Sequence, residues 1–537
     1  MTYRENEVIT APVLDLIAFL EHIPAETHRE EEHAPESVPF FLSQVSDSAS
    51  AVYEKIRSAV DNKEEHFLRR HAIRRVVKRI GWYSADPNLI TTTLLRELYR
   101  AGYLPKERVS HSAQMRVRKT IVAFLQLSNA IRSSGYTTDT LLLRGHLLDI
   151  VSGAIEDRLY PTYNEEAVVL TLARITLDAL DARAYNTLSP ETKHSLVYIA
   201  AWRSLFGADT SLLVYKLWLM EHPDWEEADQ IEALAIGGKF GLFEKRAKRL
   251  LKHGFGERLV PRMRNLAVAM TVVYEIVKRY EGGIGGVTRN PLDFDAAVRE
   301  IIAEKYRQDI SRSSRRAWRA LIYIFLTKTI LALGVEFAYV SLWSAQLNFI
   351  AMGVNIFFHP LLLFIITLGL VPPARNNTER LVALIGDIVY GKMPIKVTVA
   401  PARWGLMSDI ALACYVAILS VLFLGTSMLL NRIGFHMIDT GIFFLFLALV
   451  VYFGFRIRYA ARKMELVGGH EGFLRSFIEL LALPIVSVGR YLVAKFERLN
   501  IVAILLDFFI ELPLKLVLQF FDSFSKVLRE TKEEIYS

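Results

Sequence analysis

Apolar and polar positions follow two different patterns along this chain, and the change falls near Arg319. Up to about residue 310, apolar residues recur at the spacing of helices with one buried face. This predicts helices near 89–103, 110–133, 138–159, 164–182, 190–206, 210–221, 225–236, 242–253 and 257–280. A short helix from Pro12, bearing Val13, Leu14, Ile17 and Leu20 on one face, and a long helical region from about Pro39 to Ile80 precede them. Ser189-Pro190-Glu191-Thr192 combines an N-cap, a first-turn proline and an early acid, which together mark a helix start. No stretch reads convincingly as a strand, and no repeat of constant length is present, so an irregular helical bundle is expected.

Beyond Arg319 the charges retreat to the ends of apolar runs. Residues 320–340 and 347–370 are two such runs with only a short linker between them, so they predict an antiparallel hairpin. A run of about 21 residues at roughly 1.5 Å each matches a bilayer core of about 30 Å. Residues 410–430 and 438–455 predict a third and a fourth span, the fourth short enough to need snorkelling flanks. The fold class expected is all-α: a large N-terminal cytoplasmic helical domain, residues 1–310, then a multi-pass transmembrane domain, residues 311–463. Residues 464–537 complete the chain. There Phe473–Leu492 and Ile501–Phe521 are interrupted by charges and read as interfacial or re-entrant helices rather than further spans.

Charge orients this plan. Arg312, Arg315, Arg316 and Arg319 precede the first run, Arg375, Arg380, Lys392, Lys396 and Arg403 follow the second, and Arg456, Arg458, Arg462 and Lys463 follow the fourth. The positive-inside rule then predicts an integral protein of the plasma membrane with both termini cytoplasmic. Between the second and third spans, Leu381, Leu384, Ile385, Ile388 and Val389 form one face of a short helix capped near Asn377 or Thr378. That amphipathic helix is expected to lie in the membrane interface. The net charge of +7 conceals an asymmetry, because residues 1–65 carry 14 acidic against 5 basic residues. The acidic leader, residues 1–36, is therefore expected to dock on the basic body or to compete with an acidic partner. Cys414 is the single cysteine, which excludes an intrachain disulfide and a cysteine-based metal site.

Gly282-Gly283-Ile284-Gly285-Gly286 predicts a hinge between the helical domain and the membrane region, and Gly237-Gly238-Lys239-Phe240-Gly241 reads the same way. Neither fits a phosphate-binding loop, since no strand precedes and no Gly-Lys-Ser/Thr follows.

Candidate chemistry falls in three places. Lys328 lies near the middle of the first span, where a charge costs about 2.5–3.5 kcal/mol on insertion scales. Hairpin register sets it level with His359, and Glu336 is a nearby acid, so the three are the intramembrane polar candidates for proton or ion handling or for structural pairing. Asp507, Glu511 and Lys515 form a narrow polar stripe on the last apolar segment, better suited to the wet edge of an interfacial helix. Arg69, Arg70, Arg74, Arg75, Lys78 and Arg79 make one face of a helix and are the candidates for anionic lipid head groups, with Lys245, Arg246, Lys248, Arg249 and Lys252 as a second basic run. Lipid is favoured over nucleic acid as the partner of a domain tethered beside a membrane, and the oligomeric state is left open.

His22, His28 and His33 among the leader's glutamates are too loosely spaced for a metal site. The sequence calls for no cofactor and names no catalytic residue; no Gly-x-Ser-x-Gly, His-Glu-x-x-His or complete Walker motif is present. The expectation is a structural or regulatory scaffold that holds partners or lipids at the cytoplasmic face. The alternative is a transporter or channel using Lys328, Glu336 and His359.

Overall fold

A computed structural model of the chain describes residues 9–20, 65–80, 85–105, 108–134, 140–181, 188–280, 284–343, 349–368, 375–391, 395–399, 406–466 and 473–498. The described residues are all-α: 17 helices and no strand. In chain order these are α1 (Ala11–Leu20), α2 (Glu65–Ile80), α3 (Pro87–Arg100), α4 (His111–Ser133), α5 (Thr140–Leu159), α6 (Tyr163–Ala179), α7 (Pro190–Phe206), α8 (Thr210–Glu221) and α9 (Gln230–Leu251). They continue as α10 (Gly254–Arg279), α11 (Ile284–Arg289), α12 (Pro291–Trp343), α13 (Phe349–Thr367), α14 (Arg375–Tyr390), α15 (Leu406–Ile433), α16 (Met437–Ala461) and α17 (Phe473–Arg498).

Two compact units are formed. The first is Met1–Ala303 together with Arg375–Ala402, and the second is Glu304–Ala374 together with Arg403–Ser537. The chain therefore passes between them three times, and α12 begins in the first unit and continues into the second.

The first unit is built around α7, which packs on α6 and α10. Leu196 to Trp202 are buried without interruption, so this helix is apolar all round, as a central helix must be. Its start is the one the sequence predicts: Ser189 Oγ accepts from Thr192 N at 3.3 Å and Pro190 opens the helix. Trp218 of α8 is fully buried, with Phe240 and Phe243 of α9 at ring distances of 5.5 and 5.0 Å. Large aromatic surfaces thus weld α8 to α9.

Two expectations change here. The glycines at 237–241 do not hinge, because α9 runs unbroken through them. A β-carbon on Gly237 would lie 2.7 Å from Ala130 Cβ and 2.9 Å from the Ala130 carbonyl carbon, so the glycine lets α9 approach the backbone of α4. The glycine run before residue 290 is helical from Ile284 onward, and Glu281–Gly283 lie outside the described residues. The second change concerns α14. Its apolar face does not lie in a membrane interface: Leu381, Ile385, Ile388 and Val389 are buried within the first unit, where α14 packs on α10. Thr10 Oγ1 donates to the Ile388 carbonyl at 2.8 Å and Thr10 N to the Val389 carbonyl at 2.8 Å. Tyr390 Oη donates to the Thr288 carbonyl at 3.0 Å, and Arg299 donates twice to Glu379. Further along, Val397 N donates to the Ala179 carbonyl at 2.9 Å, so the segment after α14 joins the end of α6.

In the second unit α13 packs on α16, and α16 on α17. Phe349–Thr367, Tyr415–Ile433 and Asp439–Ala461 are long and apolar enough to cross a membrane. The last of these is longer than the sequence pattern suggests, since the helix continues through Arg456 and Arg458. Small residues permit the contacts. A β-carbon on Gly454 would lie 2.9 Å from Ile366, and one on Gly489 would collide with the Ala448 carbonyl oxygen. Ile501–Phe521 lies outside the described residues.

The two adjacent glycines of α9 provide a test. Gly238 has nothing within 4 Å of an added β-carbon, whereas Gly237 meets the backbone of α4. Gly238→Ala is expected to raise stability by up to about 1 kcal/mol through helix propensity. Gly237→Ala is expected to lower it by about 1–3 kcal/mol through overpacking. Thermal melting of the full-length protein, followed by tryptophan fluorescence, checks the opposite signs.

Candidate functional site

The sequence draws attention to the basic face of α2, and tertiary packing turns part of that face inward. Arg69 and Arg70 are buried, and both share the Glu156 carboxylate of α5: Arg69 Nε lies 3.2 Å from Oε1 and Arg70 Nε 2.6 Å from Oε2. Arg70 also pairs with Asp209, whose carboxylate caps α8 by accepting from Leu212 N at 3.0 Å. One turn on, Arg74 Nε sits 3.2 Å from Asp149 Oδ1, which accepts from Ser211 Oγ at 2.8 Å. Tyr160 closes the group from one side, its ring centroid 3.4 Å from the Arg69 guanidinium carbon. Such stacking over an aromatic face suits the planar guanidinium.

Arg69 and Arg70 are therefore not lipid-surface residues, which corrects the expectation drawn from the helical pattern. Their charge is compensated inside the fold by an acid 87 and 86 residues away. Arg74 is half-buried in the same network. Arg75, Lys78 and Arg79 remain exposed, with Arg79 paired to Glu97.

A second polar group lies where α5, α6, α7 and α8 meet. Lys216 is buried, with Nζ 2.8 Å from Glu166 Oε2 and 3.1 Å from Thr162 Oγ1, and Tyr198 donates to the same glutamate. Tyr215 donates to Asp157 at 3.2 Å. Burial pushes the Tyr198 and Tyr215 hydroxyls well above the ordinary phenol value, reinforced by the neighbouring carboxylates Glu166 and Asp157 respectively, so both stay protonated as donors. Every charge in these two groups has a partner, and the arrangement is that of a structural network, not of a nucleophile and its base.

Sequence reasoning missed the acids. Asp149 and Glu156 lie seven residues apart on α5 amid Ile150, Val151, Ala154 and Ile155, and isolated acids on a buried face are the signal that they have internal partners.

Of the intramembrane candidates, His359 is fully buried in the second unit. Its Nε2 lies 3.0 Å from the Phe443 carbonyl oxygen of α16, and since a carbonyl can only accept, Nε2 carries the proton. The ring packs at 4.7 Å from Phe443 and 6.0 Å from Phe446. Lys328 and Glu336 lie on α12, and their side chains are outside the described set. Ile324 of α12, Leu363 of α13 and Val450 of α16 form one buried apolar cluster. Asp507, Glu511 and Lys515 lie outside the described residues, as do His22, His28 and His33. Among the described residues no group of His, Cys, Asp and Glu is arranged to hold a metal.

The chain matches no protein-family model, no curated protein and no solved structure. The described residues define its class: they are all-α, with three helices long and apolar enough to cross a membrane.

Two measurements check the network. Glu156→Gln leaves two arginines buried without full compensation and is expected to cost about 3–5 kcal/mol. Arg79→Ala, at an exposed pair, is expected to cost less than about 1 kcal/mol. The pH dependence isolates Asp149, whose pKa burial raises above the ordinary 3.8 despite the Arg74 charge. An acid with a raised pKa binds its proton more tightly when folded, so its favourable contribution is complete below 3.8 and is lost as pH rises through the folded value. Relative to Asp149→Asn, the native protein is expected to lose melting temperature as pH rises from about 4. A constant difference between the two across that range contradicts this role.

Proposed function

We propose that the chain is a membrane-anchored helical scaffold, with its first unit at the cytoplasmic face and its second unit in the bilayer. The observation that carries this is the return of Arg375–Ala402 to the first unit between two apolar helices. Residues folded into one unit lie on one side of a membrane. The segment from Glu304 to Ala374 must then cross an even number of times, as a hairpin does, and this agrees with the arginines at its two ends. Three covalent passages between the units would carry any displacement of the first unit to α12, α13 and α15 together. That connectivity suits a scaffold that holds partners or lipids and registers their binding.

The transporter reading draws no support from His359. Its ring is packed among phenylalanines and hydrogen-bonded to a helix carbonyl, which is an interhelical tie of about 0.6–2 kcal/mol.

In a Cys414→Ser background reconstituted in sealed vesicles, Lys239→Cys, Arg375→Cys and Lys463→Cys are expected to react with an impermeant maleimide from one side. Ser344→Cys and Met437→Cys are expected to react from the other. Reaction of Lys239→Cys and Arg375→Cys from opposite sides sinks the topology. Proton or ion flux above background that disappears in Lys328→Met would replace the scaffold with a transporter.

A further inference from the structure

The outward face of α9 combines apolar and basic residues in one stripe. At the helical period, Ile231, Leu234, Leu242, Lys245 and Arg249 align within about 100° of arc. Ile231 is 78% exposed, Leu242 67% and Leu234 47%. The opposite face is the buried one that packs on α4, α7 and α8, carrying Phe240, Phe243 and Ala247. The apolar stripe is therefore not a part of the core that happens to emerge.

Its chemistry changes along the helix. The first two thirds of the stripe is apolar, and the last third is basic, flanked by Lys248 and Lys252. Among the described residues no carboxylate pairs with Lys245, Lys248, Arg249 or Lys252. Of the nearby acids, Glu221 pairs with Arg246, Glu227 with Lys119, Glu226 with Arg158 and Glu244 with His146, while Asp229 and Glu232 accept from each other's backbone N–H in the cap at the far end of α9. Lys239 adds a further exposed base beside the stripe.

We infer that the outward face of α9 is a docking surface for an anionic lipid bilayer. Leucine and isoleucine would enter the boundary between head groups and acyl chains while the bases meet lipid phosphates. The occupant follows from this pairing of exposed aliphatic side chains with uncompensated positive charge, and from the membrane-spanning helices that keep the chain beside a bilayer. Nucleic acid would use the bases but leave Ile231 and Leu242 in water. A second copy of the chain would bring like charges together at Lys245 and Arg249. The inference rests on the scaffold reading and supplies its lipid contact, placing it on α9, which carries the second basic run of the sequence.

The test uses the full chain in lipid nanodiscs with Cys414→Ser and an environment-sensitive fluorophore on Leu242→Cys. In discs containing phosphatidylserine the emission is expected to shift to the blue and to resist acrylamide quenching, and in pure phosphatidylcholine discs it is expected to stay water-like. High salt should reverse the difference, since exposed charges are screened over about 8–10 Å at ordinary ionic strength. Lys245→Glu with Arg249→Glu should abolish it. A label on Leu89→Cys, exposed on α3, should report water in both lipids. Tryptophan fluorescence of each variant confirms that the first unit is folded.

Equal quenching of the Leu242 label in both lipids overturns the inference while leaving the topology test untouched. Protection that follows protein concentration, or that an added oligonucleotide produces in neutral discs, also overturns it in favour of a second copy or nucleic acid.

Discussion

Leu381, Ile385, Ile388 and Val389 anchor the segment between α13 and α15 inside the first unit. Full burial of an aliphatic side chain of this size stabilises by about 1.5–3 kcal/mol, an upper estimate because the unfolded chain already hides some surface. Four of them on one face contribute about 6–12 kcal/mol, comparable with the roughly 7–14 kcal/mol that two turns of helix lose in backbone freedom. The polar contacts around them fix the register: Thr10 satisfies carbonyls at the end of α14, where a helix leaves acceptors open, and Tyr390 reaches the carbonyl of Thr288. Because α13 and α15 flank this segment, the connection between them is held within the first unit. Where the chain leaves and re-enters the second unit follows from that burial.

The ion network under α2 has a different thermodynamic character. A buried ion pair contributes little net stability when compared with apolar residues of the same shape, yet removing one partner is costly. Glu156 takes charge from two arginines, and Asp209 serves both Arg70 and the N-terminus of α8. A shift of α2 by one turn along α5 would strand all of these groups, so the network selects one register of α2, α5 and α8. It thereby keeps a strongly basic helix from offering Arg69 and Arg70 to outside anions. The basic surface that remains outward on α9 has no such internal acids.

On the proposed placement of the second unit in a bilayer, close approach would replace the hydrophobic effect as the source of specificity. Lipid tails are as apolar as leucine, so apolar helices gain from contact mainly through packing and interhelical hydrogen bonds. Gly454 against Ile366, Gly489 against the backbone of α16 and His359 against the Phe443 carbonyl are contacts of this kind. The neighbouring α15 is almost wholly exposed along its apolar window, as a helix facing lipid is expected to be.

Helix type and most boundaries were legible in the chain because they are set locally. Ser189, Asp209 and Asp229 cap their helices with their own side chains, and apolar spacing repeats within each segment. The apolar runs at 347–370, 410–430 and 438–455 were equally legible, since length and hydropathy alone decide whether a helix can cross a bilayer. What covers each helical face was not legible. The apolar stripe of α14 has the same spacing whether lipid or α10 lies against it, and the arginines of α2 spell one basic face whether Glu156 or a phosphate meets them. A glycine pair reads as a hinge or as a close contact, and Ala130, far away in sequence, decides that Gly237 is the latter. Periodicity reports that a face exists, because it depends on neighbours a few residues apart. Its partner is fixed by contacts between residues tens to hundreds apart, and only the tertiary structure brings those together.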